Sequence, residues 1–270
     1  MLADTHCHLN FESFDLDRPA VIARAQAAGI TRMLNPGIDL LSSQSVVRLA
    51  HTFEPVYAAV GVHPNEAQTW DQRSLADLMG LARQPKVVAI GEIGLDYYWD
   101  RAPVSLQRAI FEQQLDLAAD LGLPVIIHVR DKLPEDMPAM RDTLSILKEW
   151  TAALAFRNRD LSERPGVLHS FSGDKSAALD ANSLNLRIGI TGPVTYKNAE
   201  RLREVAASIP EEFLLVETDA PFLTPHPHRG ERNEPAFVQY IIERIASIRQ
   251  TNFETVTEIT SLNAERLFRW

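Results

Sequence analysis

Only one cysteine occurs in the 270-residue chain, Cys7, so no internal disulfide can form. A disulfide-stapled fold is excluded, and a reducing, cytoplasmic compartment is expected. The chain shows no charged-then-apolar leader and no uninterrupted apolar run near ~20 residues, so neither secretion nor a membrane span is expected. Positive charge is scarce as well. Against 27 Lys and Arg stand 36 Asp and Glu, a net charge of −9. Wrapping nucleic acid non-specifically relies on many phosphate contacts, and this balance argues against that mode. It leaves room for an enzyme whose metals supply positive charge locally. Low-complexity runs, linkers, short repeats and a glycine-rich phosphate loop after the first apolar run are all missing.

What is present is alternation. Eight short apolar runs read as strands: one entering His6, then 31–35, 56–60, 87–90, 125–127, 167–168, 186–190 and 213–216. Helical stretches separate nearly all of them. Pro19 opens the first and Gly29 closes it; Gly122 and Pro124 end a later one. Two helices, near 236–249 and 254–268, finish the chain. Strands alternating with helices imply a parallel sheet, and eight units suggest an α/β fold of the single-domain (β/α)8 TIM-type barrel class. An open doubly wound sheet is the alternative.

The polar residues gather at the ends of these strands. His6 and His8 close the first, two residues apart and so on one face. Cys7 between them should face the opposite side and pack. His63 follows the third strand, Glu92 the fourth, His128 the fifth, His169 the sixth, and Glu217 and Asp219 the eighth. In a barrel all these ends share one rim, where active sites are built. Imidazoles and carboxylates converging on one place suit divalent metal, and four histidines plus carboxylates can hold two ions.

These residues lie in motifs: Asp4-Thr5-His6-Cys7-His8-Leu9, Gly61-Val62-His63-Pro64, Gly91-Glu92-Ile93-Gly94-Leu95-Asp96-Tyr97 and His128-Val129-Arg130-Asp131. His169-Ser170-Phe171-Ser172-Gly173, Glu217-Thr218-Asp219-Ala220-Pro221, Arg229-Gly230-Glu231-Arg232-Asn233-Glu234-Pro235 and Asn263-Ala264-Glu265-Arg266-Leu267-Phe268 follow. In this order the chain resembles, over nearly its whole length, the TatD-type metal-dependent deoxyribonucleases of the amidohydrolase superfamily. The resemblance implies a (β/α)8 barrel that hydrolyses DNA phosphodiesters from a 3′ end. It implies that His6, His8 and Asp219 hold one metal, that His128 and His169 hold the other, and that Glu92 bridges them. Asp219 would also take the proton of the attacking water. Magnesium or manganese would be the working metal, although the histidine-rich set also suits zinc.

Further residues are expected around this set. His63 is read as a substrate contact or a support behind the ligands, Arg130 as a phosphate contact sharing the His128 face, and Glu217 as a group orienting ligands from behind. Arg229, Arg232 and Asn233 form a loop suited to phosphate recognition, and Tyr97, Tyr98 and Trp99 could stack on a base. His128 and His169 stand 41 residues apart, so an insertion is expected at about 132–164, over or beside the rim after the fifth strand. The competing function is an amidohydrolase-type attack on a small ester, lactone or phosphoester. The arginine-bearing loop, and the absence of a lysine to carry a bridging carbamate, favour DNA. A structural metal in a non-catalytic module is disfavoured by the complete ligand set with its candidate base.

Overall fold

Eight parallel strands run in sequential order around the structure: β1 (Leu2–Asp4), β2 (Ile30–Pro36), β3 (Val56–Val60), β4 (Val87–Asp96), β5 (Val125–Arg130), β6 (Gly166–Leu168), β7 (Arg187–Ile190) and β8 (Leu214–Val216). The computed structural model describes residues 2–133 and 135–270. Met1, at the expected opening of the first strand, and Pro134, within the expected insertion, lie outside the described residues. Between β8 and β1 the seam is closed by Thr5 N–H donating to Val216 O at 3.3 Å, Asp219 N–H to His6 O at 2.9 Å and His8 N–H to Ala220 O at 2.7 Å. The result is a single-domain (β/α)8 barrel.

The helices are α1 (Arg18–Ala27), α2 (Leu40–Thr52), α3 (Ser74–Ala82), α4 (Val104–Leu121), α5 (Pro138–Arg157) and α6 (Arg159–Ser162). They continue with α7 (Lys175–Ser183), α8 (Glu200–Ser208), α9 (Val238–Arg249) and α10 (Phe253–Phe268). Local chemistry sets several boundaries. Asp39 and Ser42 form a reciprocal capping box at the start of α2, and Gly122, at φ +68°, ends α4. No helix among the described residues is long and apolar enough to cross a membrane.

Two apolar layers result. Ala3, Leu34, Ala59, Ala89, Ile126, Val167 and Leu215, from seven different strands, meet in one buried cluster that fills the barrel. Ala264, Leu267 and Phe268 of α10 join it and close its floor. A second, larger cluster lies between the strands and the outer helices. The stretch at 132–164 is occupied mainly by α5 and α6. The α5 helix buries Ile146, Leu147, Trp150 and Leu154 and packs against α4, β4 and β5. It forms part of the barrel's outer layer.

Candidate metal centre

β1 ends at Asp4, so His6 and His8 lie just past the strand rather than within it. The alternation nevertheless continues, because Cys7 bridges to Ala220 with extended pairing. Cys7 is fully buried with its thiol toward Leu34 O, and the flanking imidazoles turn inward together. β4 is longer than the apolar run suggests and carries Glu92 within it, buried where the β4–β5 register shifts between Ile90 and Ile93. Two glycines make room here. A Cβ on Gly94, at φ +140°, would lie 2.0 Å from His128 O, and one on Gly189 would lie 2.5 Å from the Glu217 carboxylate.

His6 Nε2 and His8 Nε2 approach each other to 3.1 Å. Glu92 Oε2 stands 3.5 and 3.6 Å from them, and Asp219 Oδ1 stands 3.7 and 3.5 Å from them. On the other side, Glu92 Oε1 lies 2.9 Å from His128 Nδ1 and 2.8 Å from His169 Nε2, and those nitrogens are 3.3 Å apart. Donors bonded to one ion at about 2.1 Å, at tetrahedral or octahedral angles, lie roughly 3.0–3.4 Å from one another. The His6–His8 and His128–His169 nitrogen pairs, at 3.1 and 3.3 Å, fall in that range, and the carboxylate oxygens lie close to it on either side. Two neutral imidazole nitrogens this close also repel through their lone pairs unless a proton or cation lies between them.

Electrostatics prepare the same sites. Burial, together with His169, lowers His6 to about 4, so its imidazole is neutral and free to ligate. Burial opposes charge on His169 too, but the Glu92, Glu217 and Asp219 carboxylates outweigh it and raise it to about 9. Burial likewise works against ionisation of Glu92. The surrounding histidines nevertheless hold it well below the usual carboxylate range. The pocket is therefore a nest of carboxylate charge that attracts cations.

His63 turns into the cluster, with Nε2 3.5 Å from Glu92 Oε1. Its Nδ1 accepts the Asn65 N–H at 3.0 Å, so the neutral ring carries its proton on Nε2. Burial and His128 lower its pKa to about 3, which keeps it neutral. Glu217 lies behind His169 with its carboxylate bonded by Ser170 N–H and the Thr5 hydroxyl. Burial raises it to about 7. Arg130 reaches the rim with its guanidinium 4.2 Å above the Tyr98 ring. Arg229 lies 4.0 Å over Tyr196, and Tyr196 lines the cavity. Arg232 turns away to Asp17 and Phe14, and Asn233 spends its amide on Thr218 O and Phe222 O. Tyr97 donates to Asp142 outside the cleft.

Sequence reasoning left two groups unassigned. Asp96 Oδ2 lies 3.2 Å from His128 Nε2 and accepts from Asn65 Nδ2, fixing the tautomer that points His128 Nδ1 at Glu92. Its parity with Glu92 and Gly94 along β4 was the available signal. Asp4, raised to about 8 by burial, accepts from Thr218 N–H at 2.9 Å and the Thr218 hydroxyl at 2.6 Å. It thereby ties the Asp219 loop to β1.

All of this opens onto a cavity of about 760 Å³ at the strands' C-terminal ends. Over residues 3–269 the chain matches the family described as TatD related DNase. It is 42% identical over 269 residues to the metal-dependent hydrolase YabD of Bacillus subtilis (strain 168), covering 100% of this chain and 99% of that one. It is 38% identical over 275 residues to the 3′-5′ ssDNA/RNA exonuclease TatD of Edwardsiella piscicida, covering 99% of each. The solved structure of the TatD homologue YjjV from Escherichia coli K12 superposes with a TM-score of 0.89 at 31% identity, covering 100% of this chain and 98% of that one. Matched in sequence and in barrel over its whole length, the protein belongs to the TatD-related DNase family of metal-dependent hydrolases.

Proposed function

We propose that the protein is a two-metal exonuclease that shortens single-stranded DNA from its 3′ end, with magnesium or manganese as the working metal. One observation carries the two-metal part: the oxygens of Glu92 face different histidine pairs, Oε2 toward His6 and His8, Oε1 toward His128 and His169. In this reading His6, His8 and Asp219 would hold one ion and His128 and His169 the other, with Glu92 serving both. Bound there, two divalent ions would lower a water's pKa toward roughly 7 and offset charge on the attacked phosphate.

The chain's own groups supply the rest. Burial works to raise Asp219, yet His8 and the other imidazoles hold its pKa down, so it is ionised and able to accept a proton. Its side chain is 14% exposed, whereas that of Glu217 is fully buried. Asp219 is therefore the carboxylate that an entering water meets. His63 presents a neutral N–H donor toward the same cluster, suited to a phosphate oxygen. Arg130 adds a cation at the rim. The nucleic-acid substrate is supported by the relative named for that activity.

The test is elemental analysis of metal-loaded protein beside digestion of 5′-labelled single-stranded DNA. Two ions per chain and a ladder of shortened labelled products are expected. Activity should be abolished by chelator and restored by manganese or magnesium. At most one ion after reconstitution with excess metal would overturn the shared site. Cleavage of small esters or lactones with DNA left intact would overturn the nuclease reading.

A further inference from the structure

We infer that the cleft carries two base-stacking platforms on opposite sides of the metal centre, Trp99 on one and Phe222 on the other. They would grip the nucleobases flanking the scissile phosphodiester. The inference rests on the nuclease reading above and adds what recognises the strand.

The topology sets the platforms apart. Trp99 follows β4, and Phe222 follows β8. In a closed barrel of eight strands in sequential order, β4 and β8 are half a turn apart. Both residues line the same cavity, with Glu92, His128, His169 and Asp219. Both are conspicuously exposed for large apolar side chains at a site, Trp99 at 45% and Phe222 at 51%.

Each platform is tied by its backbone to the cluster. Trp99 N–H donates to Asp96 Oδ1 at 3.0 Å, and the other oxygen of that carboxylate faces His128 Nε2. Phe222 N–H donates to Asp219 O at 2.8 Å, and Phe222 O accepts the Asn233 amide. The backbone that carries each ring is thus fixed relative to the cluster before any strand arrives, which reduces the ordering cost of binding.

The surroundings select the ligand. Arg130 lies over the Tyr98 ring and, at 5.7 Å, over Trp99, while Arg101 sits 5.8 Å from the Trp99 ring on its own account. Aromatic faces interleaved with guanidinium groups suit a base and its phosphate together. Phe222 stands edge-on to Phe11, which stacks on the His8 ring at 4.6 Å. Every base has a π-face, so this grip tolerates any sequence. It requires bases that are unpaired and unstacked, which is a property of single strands.

The experiment pairs enzyme variants with substrate variants. Trp99→Ala and Phe222→Ala are assayed on single-stranded oligonucleotides that are intact, abasic at the terminal nucleotide, or abasic at the penultimate one. Loss of one stack should cost roughly 5- to 150-fold in kcat/KM. Each alanine variant should lose that factor on intact strands, and most of the loss should disappear when the base it grips is already missing. Trp99→Phe and Phe222→Tyr, which keep a ring, should retain most activity. Equal fold-losses on intact and abasic strands, or no loss on either, would overturn the platforms while wild-type cutting stands. A wild-type enzyme inert on every single strand would overturn the nuclease reading, and this inference with it.

Discussion

Replacing Asp96 by asparagine should weaken metal binding without removing a ligand. The Asp96 carboxylate accepts four bonds: Oδ1 from Tyr98 N–H at 2.9 Å and Trp99 N–H at 3.0 Å, Oδ2 from Asn65 Nδ2 at 3.0 Å and His128 Nε2 at 3.2 Å. Its pKa is near 2 despite burial, held down chiefly by His128, so it is a full anion at working pH. Asparagine leaves one oxygen. If that oxygen stays with Tyr98 and Trp99, the new amide faces His128 donor to donor. His128 then loses its partner or moves its proton to Nδ1, the atom aimed at Glu92. A hydrogen bond to a charged group contributes about 1.5–3 kcal/mol, which is roughly 10- to 150-fold in apparent affinity. That range overlaps the usual cost, about 10- to 100-fold, of removing a group that orients a metal ligand. The assay is calorimetric titration with manganese, with circular dichroism as the fold check. Asp142→Asn, which alters the partner of Tyr97 and Arg108, is the control and should bind as wild type does. An Asp96→Asn protein that is folded and binds manganese within about threefold of wild type would refute the argument that Asp96 sets the His128 tautomer.

Asp219→Asn should lose at least the roughly 10²–10⁴ in turnover that a general base supplies, at saturating manganese and with the fold intact. Glu217→Gln should lose less, about 10- to 100-fold; the reverse order would reassign the base. Deleting residues 138–157 should yield insoluble or unfolded protein, because α5 buries Leu147, Trp150 and Leu154 in the outer layer; soluble, metal-replete protein would contradict that placement. Asp17 is held at about 2 by Arg232 and Arg24, below its unfolded value near 3.8. The stability it contributes is therefore present above pH ~4 and lost as pH falls through ~2. Melting curves of Asp17→Asn and wild type should differ at neutral pH and converge toward pH 2, and a constant gap would assign the effect to something other than charge.

Much of this protein is decided along the chain itself. Apolar runs of strand length alternating with amphipathic stretches specify eight β/α units through local periodicity alone. The same periodicity puts His6, His8, His128, His169 and Asp219 at or near strand ends, which in a closed barrel is one rim, while Glu92 lies within β4. Direction beyond those ends is another matter, because it depends on partners distant in sequence. Arg232 and Asn233 belong to a loop that looks made for phosphate, yet Arg232 meets Asp17, 215 residues away, and Asn233 holds the Phe222 turn. His63 becomes an Nε2 donor only because Asn65 N–H occupies its other nitrogen. Asp96 is aligned with Glu92 in the sequence, but only the pairing of β4 with β5 brings its carboxylate to His128. The expected insertion at about 132–164 includes α5, and the packing of that helix against α4, β4 and β5, which places it in the wall, is invisible in a local window. Strand-end position follows from a period of two or 3.6 residues, which any short window displays. Which atom faces the centre follows from hydrogen bonds closed across the barrel, and these exist only once the strands are paired.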